Sequence, residues 1–203
     1  MDQQFKTLYR RQPCIKRRLK HSALSALLAC ALFCLAGCRQ SGAWKPQFRF
    51  DSDGIYTGFA SVLDRYTIGQ AIKDGCYVSA DEMEEDYKAA NDRAWEEFLT
   101  VSGTGRDCAI RFAWFLPEGN SYADLYYKNG TFHYFQSEHP AADKEWTMLR
   151  ALTGEAGIPK KELTIYVLTD SRELTYDDVT WSMLSSDTRS ITKIPFVWLP
   201  VYE

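Results

Sequence analysis

Just past residue 100 the hydrophobic period of this chain changes, and that change fixes its class. Met83, Tyr87, Ala90, Ala94, Phe98 and Val101 recur every three or four positions, the spacing of one apolar stripe on a helix. From Cys108 the period is two. Ile110, Phe112 and Trp114 alternate with Ala109, Arg111, Ala113 and Phe115, as in a strand whose successive side chains face opposite ways. Pro117-Glu118-Gly119-Asn120 then turns the chain into a second strand, Tyr122 to Tyr127. Asn129-Gly130 is a two-residue hairpin signal leading into Thr131–Phe135. Three strands joined by short turns predict an antiparallel meander with a helix packed on it.

The flanking segments extend this plan. Asp51-Ser52-Asp53-Gly54 reads as a turn, since the later ligands and closing Glu of a calcium loop are missing. Thr67 to Asp74 predicts a short helix stopped by Gly75, followed by a brief strand at Cys76-Tyr77-Val78. Ser79 and Glu82 have capping-box spacing, so the long helix is expected from about Asp81 to Val101. Asp143 to Thr153 reads as a helix carrying Trp146, Leu149 and Leu152, and Leu163 to Thr169 as a strand. Leu174 to Ser186 stays open. Thr175 with Asp178 has the spacing of a helix cap, while Val179, Thr180 and Trp181 favour a strand. Ile191 to Tyr202 predicts a terminal strand that Pro195 and Pro200 confine to an edge. The predicted class is α+β, an antiparallel sheet with two or three helices mainly on one face.

The first 37 residues follow different rules. They hold seven of the chain's 24 Lys and Arg against one of its 27 Asp and Glu, and Ser22 to Gly37 carries no charge. A basic start followed by a short apolar run is the pattern of an export signal. The run falls short of the ~20 residues a membrane-crossing helix needs. Leu35-Ala36-Gly37-Cys38 resembles the lipobox of bacterial type II signal peptides. The resemblance implies cleavage after Gly37, lipid on the Cys38 sulfur, and a chain held at the outer face of the cell membrane. Residues 38–47 would then be the lipidated cysteine and a short tether, and 48–203 a single domain. Removal of the leader leaves a formal charge near −9. Such a surface argues against nucleic acid as a partner, because phosphate backbones reward clustered Lys and Arg.

A second resemblance covers about Tyr66 to Leu168. The order "AIKDG" (Ala71–Gly75), a helix with Asn91 and Trp95-Glu96-Glu97-Phe98, "IRF" (Ile110–Phe112), a "DLYYKNG" hairpin (Asp124–Gly130) and "YVL" (Tyr166–Leu168) is similar to a family of small Gram-positive lipoproteins. That family has no assigned activity, so the similarity bears on location and fold class only.

Little in the chain points to catalysis. His133 and His139, with Glu138 and Asp143 nearby, lack the further ligands that a zinc site requires, and no HExxH or CxxC accompanies them. No GxSxG elbow or phosphate loop is present, although Ser121, Ser137 and His133 could be set together by folding. The acid pairs Glu84-Glu85 and Asp177-Asp178 each sit on one element and would not flank a substrate. The sequence therefore gives no catalytic or metal-binding residue and no cofactor. Cys76 and Cys108 leave two readings open, a disulfide in an oxidising exterior or two buried thiols. The aromatic hairpin residues likewise have two readings. Tyr122, Tyr126 and Tyr134 could form a recognition surface, or be ordinary cross-strand pairs beneath covering elements. The expected function is a non-enzymatic, lipid-anchored binding module at the cell envelope, with protein or cell-wall glycan as partner. The alternatives are an envelope hydrolase and an accessory or inhibitor subunit acting in a complex.

Overall fold

The computed structural model describes residues 45–61, 66–80, 85–140, 144–187, 189 and 191–201. The predicted leader with Gly37 and Cys38, and Glu82 and Met83, lie outside the described residues. From Gly42 onward the chain forms one compact unit with its own hydrophobic core, as an independently folding body has.

Eight strands make two sheets among the described residues. The first runs in chain order: β1 (Tyr77–Ala80), β2 (Cys108–Leu116), β3 (Gly119–Lys128), β4 (Thr131–Gln136) and β5 (Glu145–Trp146). The second holds β6 (Met148–Ala156), β7 (Lys161–Thr169) and β8 (Phe196–Leu199). Helices α1 (Ile68–Lys73), α2 (Glu85–Gly103) and α3 (Tyr176–Leu184) complete the α+β fold.

The meander β2-β3-β4 matches its prediction in order and antiparallel pairing, and its register runs Arg111↔Asp124 and Tyr126↔His133. Asn129 and Gly130 both have positive φ, 52° and 88°, as the tight hairpin turn demands. β1, however, pairs parallel with β2. A parallel neighbour needs a long crossover, and α2 supplies it. Thr67 caps α1 by accepting from the Gln70 N–H, and Gly75 follows that helix with φ +75°. Ser79 does not open α2. It lies in β1 opposite Trp114, and the described helix begins at Glu85.

The buried stripe of α2 is Asn91, Trp95, Phe98 and Ser102, turned by about one position from the predicted one. Tyr87 and Ala90 are only half-buried. Asn91 explains the turn. Its amide donates to the Val78 carbonyl at 2.7 Å and its oxygen accepts from the Val78 N–H at 2.8 Å. A polar side chain thus satisfies backbone groups of β1 that would otherwise be buried unpaired.

The predicted helix over 143–153 is corrected to strand. Trp146 belongs to β5, and β6 pairs with β7 over nine positions from Met148↔Thr169 to Ala156↔Lys161. The threefold spacing of Trp146, Leu149 and Leu152 imitates a helix stripe, yet Leu149 and Leu152 enter different cores. The long pairing with β7 overrides local preference. The open segment at 174–186 resolves as α3, with Thr175 and Asp178 forming a reciprocal capping box.

One face of the first sheet packs on α2 and on the second sheet, where Trp95 meets the edge of the Tyr166 ring at 5.0 Å. The N-terminal segment and α1 cover the other face. The outer face of the second sheet carries α3. No helix among the described residues is long and apolar enough to cross a membrane.

Candidate functional site

The proposed aromatic surface is not a surface. Tyr122 and Tyr126 are 8 % and 5 % exposed, and Tyr134 is half-buried on the opposite face of the sheet, against the Phe112 ring. What hides Tyr126 is a strap from Lys45 to Ser61, which read as a turn and little more, while Tyr66 and Ala71 join Phe59 of that strap over Tyr122. Phe48 packs edge-on to Tyr126, and Tyr56 stacks on Phe135 at 4.1 Å. The hairpin rings are core.

Beneath that strap lies a buried polar cluster that sequence reasoning missed. Arg111 Nε and Nη2 donate to both Asp124 oxygens at 2.5 and 2.6 Å, and Nη2 also reaches the Gly58 carbonyl. The Tyr56 hydroxyl donates to Asp124 Oδ2 at 2.5 Å and sits 2.7 Å from the Tyr126 hydroxyl. Asp124 is fully buried and Arg111 nearly so. Burial raises the Asp124 carboxyl while Arg111 and Tyr56 restrain that rise; burial and the Asp124 charge together push the Tyr56 hydroxyl up. Register places Arg111 opposite Asp124 on the same face as Tyr122 and Tyr126. The available signal was thus an Arg and an Asp centred in alternating apolar strands.

Cys76 and Cys108 are both free thiols, which decides the open pair against a bridge. Parity gives the reason. Cys76 packs with Val78 and Ala113 on one face, and Cys108 shares the other face with Ile110 and Phe112. Parallel register puts Cys76 level with Arg111, three residues or roughly 10 Å along the strand from Cys108. A disulfide needs Cα atoms within about 7 Å. Burial pushes each thiol up to about 11.

Of the residues weighed for catalysis, Glu84 and Asp143 lie outside the described residues, and neither His133 nor His139 is hydrogen-bonded to Ser121 or Ser137 among the contacts seen. His133 Nε2 is 3.1 Å from the Thr131 hydroxyl, with its ring against Phe48. Ser121 donates to Glu138, and Ser137 accepts from the Tyr122 N–H. His139 is exposed. Among the described residues no three His, Cys, Asp or Glu side chains converge as a metal site would require.

An open apolar cavity lies elsewhere, beside α3. A nine-residue helix is about 14 Å long, whereas nine-residue strands run about 30 Å. Tyr176 and Val179 seat α3 on Leu152 and Val167, so the helix covers only part of the outer sheet face. Beyond it Ala156, Leu163, Ile165 and Trp198 form the floor of an open cleft, with Trp181, Met183 and Leu184 along its side. The cleft encloses about 590 Å³. Trp181 and Leu184 are 61 % and 83 % exposed, and Ile158 at the tip of the β6–β7 hairpin is fully exposed. Single exposed apolar residues are ordinary, but a cluster around a concavity marks an interaction site.

A second, polar cavity of about 430 Å³ adjoins the first, lined by Thr153, Lys160 and Thr175. Glu155, Tyr176 and Asp177 border both. Gly154 makes this arrangement possible: a Cβ at that position would lie only 2.2 Å from Tyr176 Cδ1. Asp178 is occupied by the cap, donating nothing and accepting from the Thr175 N–H and hydroxyl.

No family model matches this chain, and no curated protein or solved structure matches it. The functional argument therefore rests on the residues themselves.

Proposed function

We propose that this chain is a lipid-anchored binding protein of the cell envelope whose ligand seats in the apolar cleft beside α3. The anchoring half of the reading rests on Leu35-Ala36-Gly37-Cys38 at the end of an uncharged run. The binding half rests on one observation, an open cavity of about 590 Å³ floored by apolar side chains that include Trp198 and flanked by Trp181. That volume falls within the ~300–1,000 Å³ usual for small-molecule sites, which are mostly apolar with a few polar groups. An apolar ligand suits a cleft floored by Ala156, Leu163 and Ile165, and the hairpin rings of Tyr126 and Phe135 are covered and offer no glycan platform.

Binding is tested on the unlipidated body, Arg39–Glu203, with N-phenyl-1-naphthylamine, a dye that brightens in apolar sites. Saturable enhancement at micromolar dye is expected. Leu163→Trp, which adds bulk at a position already 38 % exposed, should weaken it at least tenfold. Enhancement no greater than that of an unrelated folded protein would overturn the binding reading. Anchoring is tested separately in cells fed labelled palmitate. Cys38→Ala should abolish labelling and release the protein from the membrane, and label retained by that variant would refute the anchor.

A further inference from the structure

The polar cavity next to the apolar one narrows the kind of ligand. We infer that the cleft takes a single-tailed amphiphile whose head is uncharged or cationic and donates hydrogen bonds. This inference rests on the binding reading above and adds a substrate class to it.

Three observations carry it. First, the two cavities share Glu155, Tyr176 and Asp177 in their walls, so a ligand filling the apolar one has the polar one beside its far end. An enclosed apolar site would take any oil, and this one opens onto a polar annex. Second, the apolar part has room for one hydrocarbon tail, with affinity rising about fourfold for each methylene buried. Third, the annex is rich in acceptors. Glu155 and Asp177 are carboxylates, which only accept when ionised. Its one ammonium, on Lys160, already lies 3.2 Å from Glu155, and the Thr175 hydroxyl is committed to Asp178. A head that donates, through hydroxyl or ammonium, finds partners there. An anionic head meets like charge.

The experiment displaces bound N-phenyl-1-naphthylamine from Arg39–Glu203 with three twelve-carbon competitors, each below its micelle concentration: monolauroylglycerol, dodecylamine and laurate. The first two should compete at concentrations at least tenfold lower than laurate. Asp177→Lys should close or invert that gap, and Glu155→Gln should narrow it if the first variant fails to fold. Dye binding without displacement by any competitor would overturn the amphiphile and leave the cleft reading standing. Laurate competing as well as the others, or an order unchanged in both folded variants, would overturn the head assignment. Absence of dye binding in the parent body would remove the cleft reading itself, and this inference with it.

Discussion

Arg111 and Asp124 sit together where neither would be tolerated alone. Taking one partner away leaves an uncompensated buried charge, so Asp124→Ala should cost about 3–5 kcal/mol in chemical denaturation. Replacing both, Arg111→Met with Asp124→Leu, should recover most of that loss, because two desolvation penalties vanish together. A double variant no more stable than the single one would show that the pair is needed for more than mutual neutralisation. The strand period put Arg111 on its correct face, but period is blind to what lies opposite. Its partner could be found only by pairing β2 with β3 in register, and its cover only by knowing where the strap goes. The two thiols teach the same lesson. Composition allowed a bridge, and the alternation of the sheet forbids it. With both thiols raised to about 11 by burial, little thiolate exists near neutrality. The native body should therefore react with a thiol reagent at pH 8 far more slowly than the urea-unfolded one, Cys76 slowest of all. Its mass should not fall by two hydrogens on mild oxidation.

At the scale of elements, legibility followed locality. The β3–β4 hairpin was visible because Asn129-Gly130 dictates its own backbone. The cap of α3 was visible because Thr175 and Asp178 need only each other. β6 was misread because its partner is a distant strand, and the α2 stripe was misplaced because Asn91 counts as polar while acting as a sheet partner. The cap also makes a prediction about pH. Hydrogen bonds from the Thr175 hydroxyl and N–H hold Asp178 below the usual carboxylate value. A depressed acid stabilises the fold fully above its unfolded value of ~3.9, and that contribution fades as pH falls through the lower folded value. In a carboxyl-carbon NMR titration, Asp178 should have a midpoint below that of an unstructured Asp. Asp178→Asn should make the stability of the body less sensitive to pH below ~4. A midpoint at or above the ordinary value would contradict the capping geometry.

For the molecule as a whole, the α+β class and the central meander could be read from the sequence, whereas the second sheet as a separate layer could not. The cleft was equally hidden. It arises from a mismatch of lengths between α3 and the strands beneath it, and no local pattern records that difference. The strap has its own consequence, in the order of assembly. Tyr56 reaches Asp124 and Tyr126 across 68 and 70 residues of chain, and closing a loop of that length costs on the order of 4 kcal/mol in entropy. The hairpins of the first sheet close far shorter loops and need no help from the strap to pair. Contacts so distant along the chain are slow to form. Until they do, Phe48, Tyr56 and Phe59 stay uncovered, and so do the rings of Tyr126 and Phe135. A chain made from its N-terminus produces this segment well before β3 and β4, the strands that bury it.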